Sequence, residues 1–324
     1  MRRLVRNALL AVGLYAVLFG VLLDRPLSLG PLRAELQQKA SRLSRLPSPK
    51  LVILAGSNGP YSHSCAVIGQ MLGLPCENAG IAVGFGLDEI FNRYDASLRP
   101  GDIVYMPMEF SQYAMSAAQY RAFADGEILL RHDRSALLKL PPGRVAGALF
   151  CCTLADALEA LVEMPLAGMN KNRLEQEYNA EGDRIDNQLA DADHALLAAA
   201  PSSYPFTARD IEAGYGTRLI EQFLCRQRAK GVIVIGGWPV ELASIHIRPT
   251  TLAAVARIYG VDFLDLENKS RYPSADFFNG PEHLVQPCQF KHSIMVARAL
   301  GRMLHKAVSP PGAAVSALAS TCPG

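Results

Sequence analysis

Lys50-Leu51-Val52-Ile53-Leu54-Ala55-Gly56-Ser57-Asn58-Gly59-Pro60 decides how this chain folds. The apolar run after Lys50 reads as a strand buried on both faces, the form strands take in parallel sheets. Gly56 to Pro60 break the run, and helical patterning resumes from Cys65 to Gly73, where the glycine supplies a C-cap. A serine at the sharp turn from a buried strand into a helix is exposed at the sheet edge, beside backbone N–H groups that helix geometry leaves unpaired. Such donors stabilise an oxyanion while the hydroxyl attacks a carbonyl, so Ser57 is a candidate nucleophile.

Four further strands follow from the same kind of pattern: Cys76 to Ala79, Ile103 to Met108, Gly231 to Ile235 and Val261 to Leu266. Strands alternating with helical segments predict an α/β domain over residues 50–307, with a mainly five-stranded parallel sheet between two helical layers. In such sheets ligands sit beyond the carboxyl ends of the strands, where Gly56-Ser57 and Gly236-Gly237 both fall. Residues from about 115 to 230 read as a helical insertion between the third and fourth strands. Within it, Ala146 to Leu166 is nearly all apolar with carboxylates at helical spacing, and residues 171–195 read as a solvated charged stretch.

At the N-terminus, Arg2, Arg3 and Arg6 precede an uncharged apolar run from Ala8 to Leu23, ended by Asp24, Arg25 and Pro26. Basic residues before such a run predict an uncleaved signal anchor over residues 1–30. It would be one transmembrane helix in a bacterial inner membrane, with the folded domain in the periplasm. Residues 31–49 read as a basic-polar helical stalk closed by Pro47 and Pro49, and 308–324, rich in Pro, Ala, Ser and Gly, as a disordered tail. A formal charge of +2 over 324 residues gives no electrostatic footprint for nucleic acid. The seven cysteines lack zinc-finger spacing, so no metal is expected. Most are expected to be small buried apolar residues, with room for one disulfide if the domain is exported. Gly80 to Gly86 lacks the Lys-Ser/Thr ending and the spacing of nucleotide loops, and no cofactor is expected.

A serine nucleophile needs a base. Of seven histidines, His283 stands in Phe277-Phe278-Asn279-Gly280-Pro281-Glu282-His283-Leu284, just before the last helical segment, where a loop can reach back over the first strand end. His63, five or six residues beyond Ser57, is expected to point away from the site. Gly-Ser after strand one, Asn78-Ala79-Gly80 after strand two and the segment around His283 resemble, in order, three blocks of the SGNH (GDSL-like) hydrolases. Leu98-Arg99-Pro100-Gly101-Asp102-Ile103-Val104 is similar to the segment leading into strand three in their membrane-tethered branch, which includes teichoic-acid D-alanylation and alginate O-acetylation proteins. The resemblance covers about 50–115 and 230–305.

The resemblance implies a flavodoxin-like three-layer α/β/α fold and an O-acyltransferase or acyl esterase with Ser57 as nucleophile and His283 as base. It places backbone N–H groups of Ser57 and Gly80 in an oxyanion hole. The implied substrate is a cell-envelope or extracellular polysaccharide, and the implied acyl supplier a multi-span membrane acyltransferase. Two departures stand out. The family's third-block asparagine, an oxyanion donor, is absent: the strand end reads Met106-Pro107-Met108-Glu109-Phe110. An ionised Glu109 only accepts hydrogen bonds. It is expected to line the substrate site, and Asn58 is the candidate replacement donor. Where the family has an acidic partner for the histidine, this chain aligns Asn279, with Asp276 and Glu282 as alternatives. These departures also suit a degenerate protein that binds in a polysaccharide export or modification complex without turnover. Trp238, after Gly236-Gly237, is a candidate sugar-stacking residue.

Overall fold

The computed structural model describes residues 1–23, 29–81, 86–122, 140, 142–149, 176–198 and 200–324. A parallel five-stranded sheet lies at its centre, in the order β2-β1-β3-β4-β6. The strands are β1 (Leu51–Ile53), β2 (Cys76–Asn78), β3 (Ile103–Met106), β4 (Ile233–Gly237) and β6 (Phe263–Leu264). Each falls within or against one of the apolar runs that predicted it. Successive side chains on a strand point to opposite faces. Val52, Leu54, Val104, Met106 and Val234 accordingly join one buried cluster, with residues of helices Leu87–Asp95, Tyr215–Ala229 and Pro249–Tyr259. Leu51, Ile53, Ile103, Tyr105 and Ile235 join a second, with helices Cys65–Leu72 and Gln286–Met303.

The sheet order sets the position of the site. From β1 the chain moves outward to β2, then returns to the other side of β1 for β3. The crevice beyond the carboxyl ends of β1 and β3 is therefore the switch point, where open α/β sheets take ligands. Ser57 follows β1 and Glu109 follows β3. Two smaller sheets border this edge: β5 (Glu241–Leu242) pairs in parallel with β7 (Arg271–Tyr272), and β8 (Phe277–Gly280) pairs antiparallel with β9 (His283–Leu284).

Several expectations about the flanks change. Residues Arg2–Leu23 form a helix, but among the described residues no helix is long and apolar enough to cross a membrane. The transmembrane span is thus unsupported; Arg2, Arg3 and Arg6 shorten the uncharged part of that helix. The stretch expected to be a helical stalk is a helix, Leu29–Arg45, but it packs on the domain. Leu36 and Leu43, two turns apart on one face, are buried, and Arg42 Nη1 donates to Cys76 O at 2.8 Å. The tail expected to be disordered contains helix Ala313–Ala319 and is tied back through a Cys288–Cys322 disulfide. A second disulfide joins Cys65 to Cys76, so four of the five described cysteines are paired rather than merely apolar. Cys151, Cys152 and most of the apolar segment Ala146 to Leu166 lie outside the described residues. Within the charged stretch 171–195, Asp183 and Asn187 are buried rather than solvated.

Candidate active site

Ser57 is the N-cap of helix Asn58–Ser62, yet its side chain makes no capping bond, so the hydroxyl is free for another partner. That partner is His283: Nε2 lies 2.8 Å from Ser57 Oγ, across 226 residues of chain. On the other side of the ring, Nδ1 lies 2.7 Å from Asn279 Oδ1. An amide oxygen only accepts, so Nδ1 carries the proton and Nε2 is left to accept from the serine hydroxyl. This is the tautomer a general base requires. The alternatives for the third residue are elsewhere. Asp276 Oδ1 accepts from Gly324 N at 2.8 Å, and the Glu282 carboxyl accepts from Tyr204 OH at 3.4 Å.

The β8–β9 hairpin that carries His283 is moored to the serine's own helix. Ser62 Oγ donates to Glu282 O at 2.7 Å and accepts from Leu284 N at 3.2 Å. From the insertion, Asn187 Nδ2 donates to Leu284 O at 2.8 Å. Tyr61, one turn beyond Ser57, stacks on the His283 ring with centroids 4.0 Å apart, and its hydroxyl bonds the Asn279 side chain. The Arg184 guanidinium also lies over the Tyr61 ring, 4.7 Å from its centroid. Burial first, and the Arg184 charge second, push the His283 imidazole down to about 4. The base is therefore neutral across the ordinary pH range. His63 does point away from the serine. It is fully buried, with Nε2 3.1 Å from His292 Nε2, and His292 in turn meets Tyr272 OH at 2.8 Å.

The expected oxyanion groups are arranged differently. The Gly80 N–H faces Asn78 Oδ1 at 3.4 Å, and a Cβ at Gly80 would lie 2.8 Å from Pro60 Cδ. Gly80 thus packs against the turn and does not offer a free donor. The Asn58 amide donates to Pro107 O at 3.1 Å, away from the serine, and its Oδ1 has no partner. Asn58 contributes its backbone instead: the N–H donates to Glu109 Oε1 at 3.2 Å. Glu109 also bonds the Ser57 side chain and the Ser57 backbone N–H. Its carboxyl thus fills the spot at which the serine turn aims its donors. Gly56 permits this approach, because a Cβ there would meet Glu109 Oε1 at 2.2 Å. Trp238 is no sugar platform: it is 5% exposed, set edge-on to Phe263 at 4.6 Å, and donates its indole N–H to Asp265 at 2.7 Å.

Around Glu109 is a group of carboxyls that sequence reasoning did not assemble. Burial pushes Glu109 up to about 7, opposed by the Asn58 N–H and by bonds from Glu282 and Ser57. Glu282 is raised well above the usual carboxylate range by burial, then by the charges of Glu109 and Glu241. Glu241 is raised to about 8, mainly by burial, and its Oε2 has no partner. Tyr61 was within reach of sequence reasoning, since i and i+4 share a helix face. Arg184 and Glu241 carry no local signal that links them to Ser57. Among the described residues, Asp276, Cys288 and Cys322 bring ligand-type atoms within 4.8 Å of one another, but the disulfide consumes both thiolates a metal would need.

No family model matches the chain, and no curated protein or solved structure matches it.

Proposed function

We propose that this protein is a serine O-acyltransferase or acyl esterase of the SGNH type, working through a Ser57 acyl-enzyme with His283 as base and Asn279 as its orienting partner. One observation carries the reading: the 2.8 Å contact between Ser57 Oγ and His283 Nε2, with the ring held by Asn279 in the tautomer that can take the serine proton. In the forward step Oγ bonds to the acyl carbon and its proton passes to Nε2. On collapse, that proton leaves with the departing alcohol. The acyl group then moves to a sugar hydroxyl or to water. A cell-envelope or extracellular polysaccharide is the acceptor class suggested by the resemblance of the three motif blocks, and a multi-span membrane acyltransferase is the supplier suggested with it. Two disulfides support an oxidising, periplasmic compartment. The exposed apolar side chains Leu4, Leu9, Leu10, Leu14 and Val17, beside Arg2, Arg3 and Arg6, support association with the inner membrane.

Exposure of the protein to a fluorophosphonate probe tests the reading. Phosphonylation mapped to Ser57 by peptide mass spectrometry is expected, with loss of labelling in Ser57→Ala and His283→Ala. Labelling that persists in Ser57→Ala would refute it. One observation favours a second reading, a polysaccharide-binding protein without turnover: the Glu109 carboxyl occupies the N–H groups an oxyanion would need. No labelling in any condition would support that alternative.

A further inference from the structure

Any oxygen that gains charge on a carbonyl attacked by Ser57 must find a donor, and the nearby candidates are few. Gly80 N–H is turned to Asn78, and the Asn58 amide to Pro107. The backbone N–H groups of Ser57 and Asn58 are directed at one object, the Glu109 carboxyl, which also touches Ser57 Oγ. Glu109 is 1% exposed, and Gln112 Oε1 accepts from its backbone N–H at 3.0 Å, so the residue is held in place from both sides. Ionised, it would set a negative charge against the developing oxyanion and compete for the same two N–H groups. Neutral, it presents an O–H donor beside them.

We infer that Glu109 acts in its neutral acid form as the oxyanion donor of this site, replacing an asparagine amide with a carboxylic O–H. The inference rests on the acyl-transfer reading above. As Ser57 Oγ bonds to the acyl carbon, the hydroxyl proton moves to His283 Nε2 and the carbonyl π pair moves onto oxygen. That oxygen accepts a hydrogen bond from the Glu109 O–H, while the serine-turn N–H groups hold the acid in place through its other oxygen. Glu109 keeps its proton throughout; on collapse the C=O reforms, and the leaving alkoxide takes the proton from His283. Burial is what favours the neutral form of Glu109. The titratable groups facing it are Glu282 from the hairpin, Glu241 from β5, Tyr204, and His283 beyond the Ser57 hydroxyl. Two of these are carboxyls and none is a Lys or Arg. Burial raises the acid to about 7, against the bonds it makes with Asn58, Glu282 and Ser57. A buried carboxylic acid kept neutral to donate to an oxyanion is established chemistry in other enzymes.

Activity therefore needs His283 unprotonated and Glu109 protonated. The test is p-nitrophenyl acetate turnover between pH 5 and 9, with the rate of Ser57 phosphonylation measured in parallel. Wild type should lose about tenfold per pH unit above roughly pH 7. Glu109→Gln, whose amide donates at every pH, should turn over more slowly at pH 5.5, lack the alkaline limb, and overtake wild type by pH 9. Glu109→Ala should lose about 10²–10³-fold at pH 5.5. Glu109→Ala as fast as wild type at pH 5.5, or an alkaline limb that persists in Glu109→Gln, would overturn the inference while leaving Ser57 as nucleophile. Absence of Ser57 labelling in every variant at every pH would instead remove the acyl-transfer reading, and this inference with it. Matching thermal unfolding of the variants separates these outcomes from misfolding.

Discussion

Replacing Asn279 by aspartate tests the orientation of the base directly. The Asn279 oxygen lies 2.7 Å from His283 Nδ1, and burial with the Arg184 charge holds the imidazole at about 4. A carboxylate in the same place would face an imidazolium with charge centres about 4 Å apart. At an effective dielectric constant of about 20 their attraction is about 4 kcal/mol, or roughly three pKa units. Part of this is lost to placing a carboxylate at a half-buried position. The expected result is a His283 pKa near 6, up about two units. A stronger base removes the serine proton more readily, so turnover at pH 7 should rise about ten- to hundredfold. The reverse change in a complete triad costs about 10⁴-fold, which bounds the gain. The assay is the pH dependence of p-nitrophenyl acetate turnover for wild type and Asn279→Asp. The acid limb should move from about 4 toward 6. A folded Asn279→Asp protein with an unmoved acid limb, or with turnover at pH 7 reduced tenfold or more, would refute the assignment of Asn279 to the base.

Three further outcomes are expected. Tyr61→Phe keeps the ring that stacks on His283 and loses only the hydroxyl bond to Asn279, so turnover should fall less than about tenfold. Tyr61→Ala frees the imidazole and should cost about a hundredfold in kcat with a smaller change in KM; equal losses in the two variants would count against a stacking role. Reduction with dithiothreitol should lower stability by about 2–4 kcal/mol for each bridge opened, read as a drop in Tm; an unchanged Tm with both pairs shown reduced would contradict the pairing. Glu241 is raised to about 8, so wild type binds more protons folded than unfolded. The stability Glu241 contributes is full below about pH 4.5 and is lost as pH rises through 8. In urea unfolding, Glu241→Gln should gain on wild type by about 4 kcal/mol between pH 5 and 8.5, and a pH-independent difference would argue against the buried carboxyl.

The parts of the fold that were legible share one property: their signal lies in neighbouring residues. Short runs rich in apolar residues located all five strands of the central sheet, and the Gly56-Ser57 turn after β1 marked the nucleophile candidate. Misreadings arose where packing partners are distant. Leu36 and Leu43 showed the spacing of a buried face, but nothing local said that it would join the cluster of Ala79, Ile81 and helix Leu87–Asp95. Trp238 read as a surface ring until Phe263 and Asp265 closed around it. The cysteines gave no pairing because spacing carries none; Cys288 and Cys322 meet only once helix Gln286–Met303 and the tail are folded together.

By itself the amino-acid order determined an α/β chain with parallel strands, a serine at the end of the first and a histidine before the last helix, because hydrophobic period and turn chemistry act over a few residues. Tertiary structure alone decided that those two groups stand 2.8 Å apart, that Asn279 holds the ring, and that Glu109 sits where the charge would develop. Proton positions and carboxyl ionisation depend on burial and on neighbours brought in from four separate segments. Such through-space effects leave no trace in linear spacing.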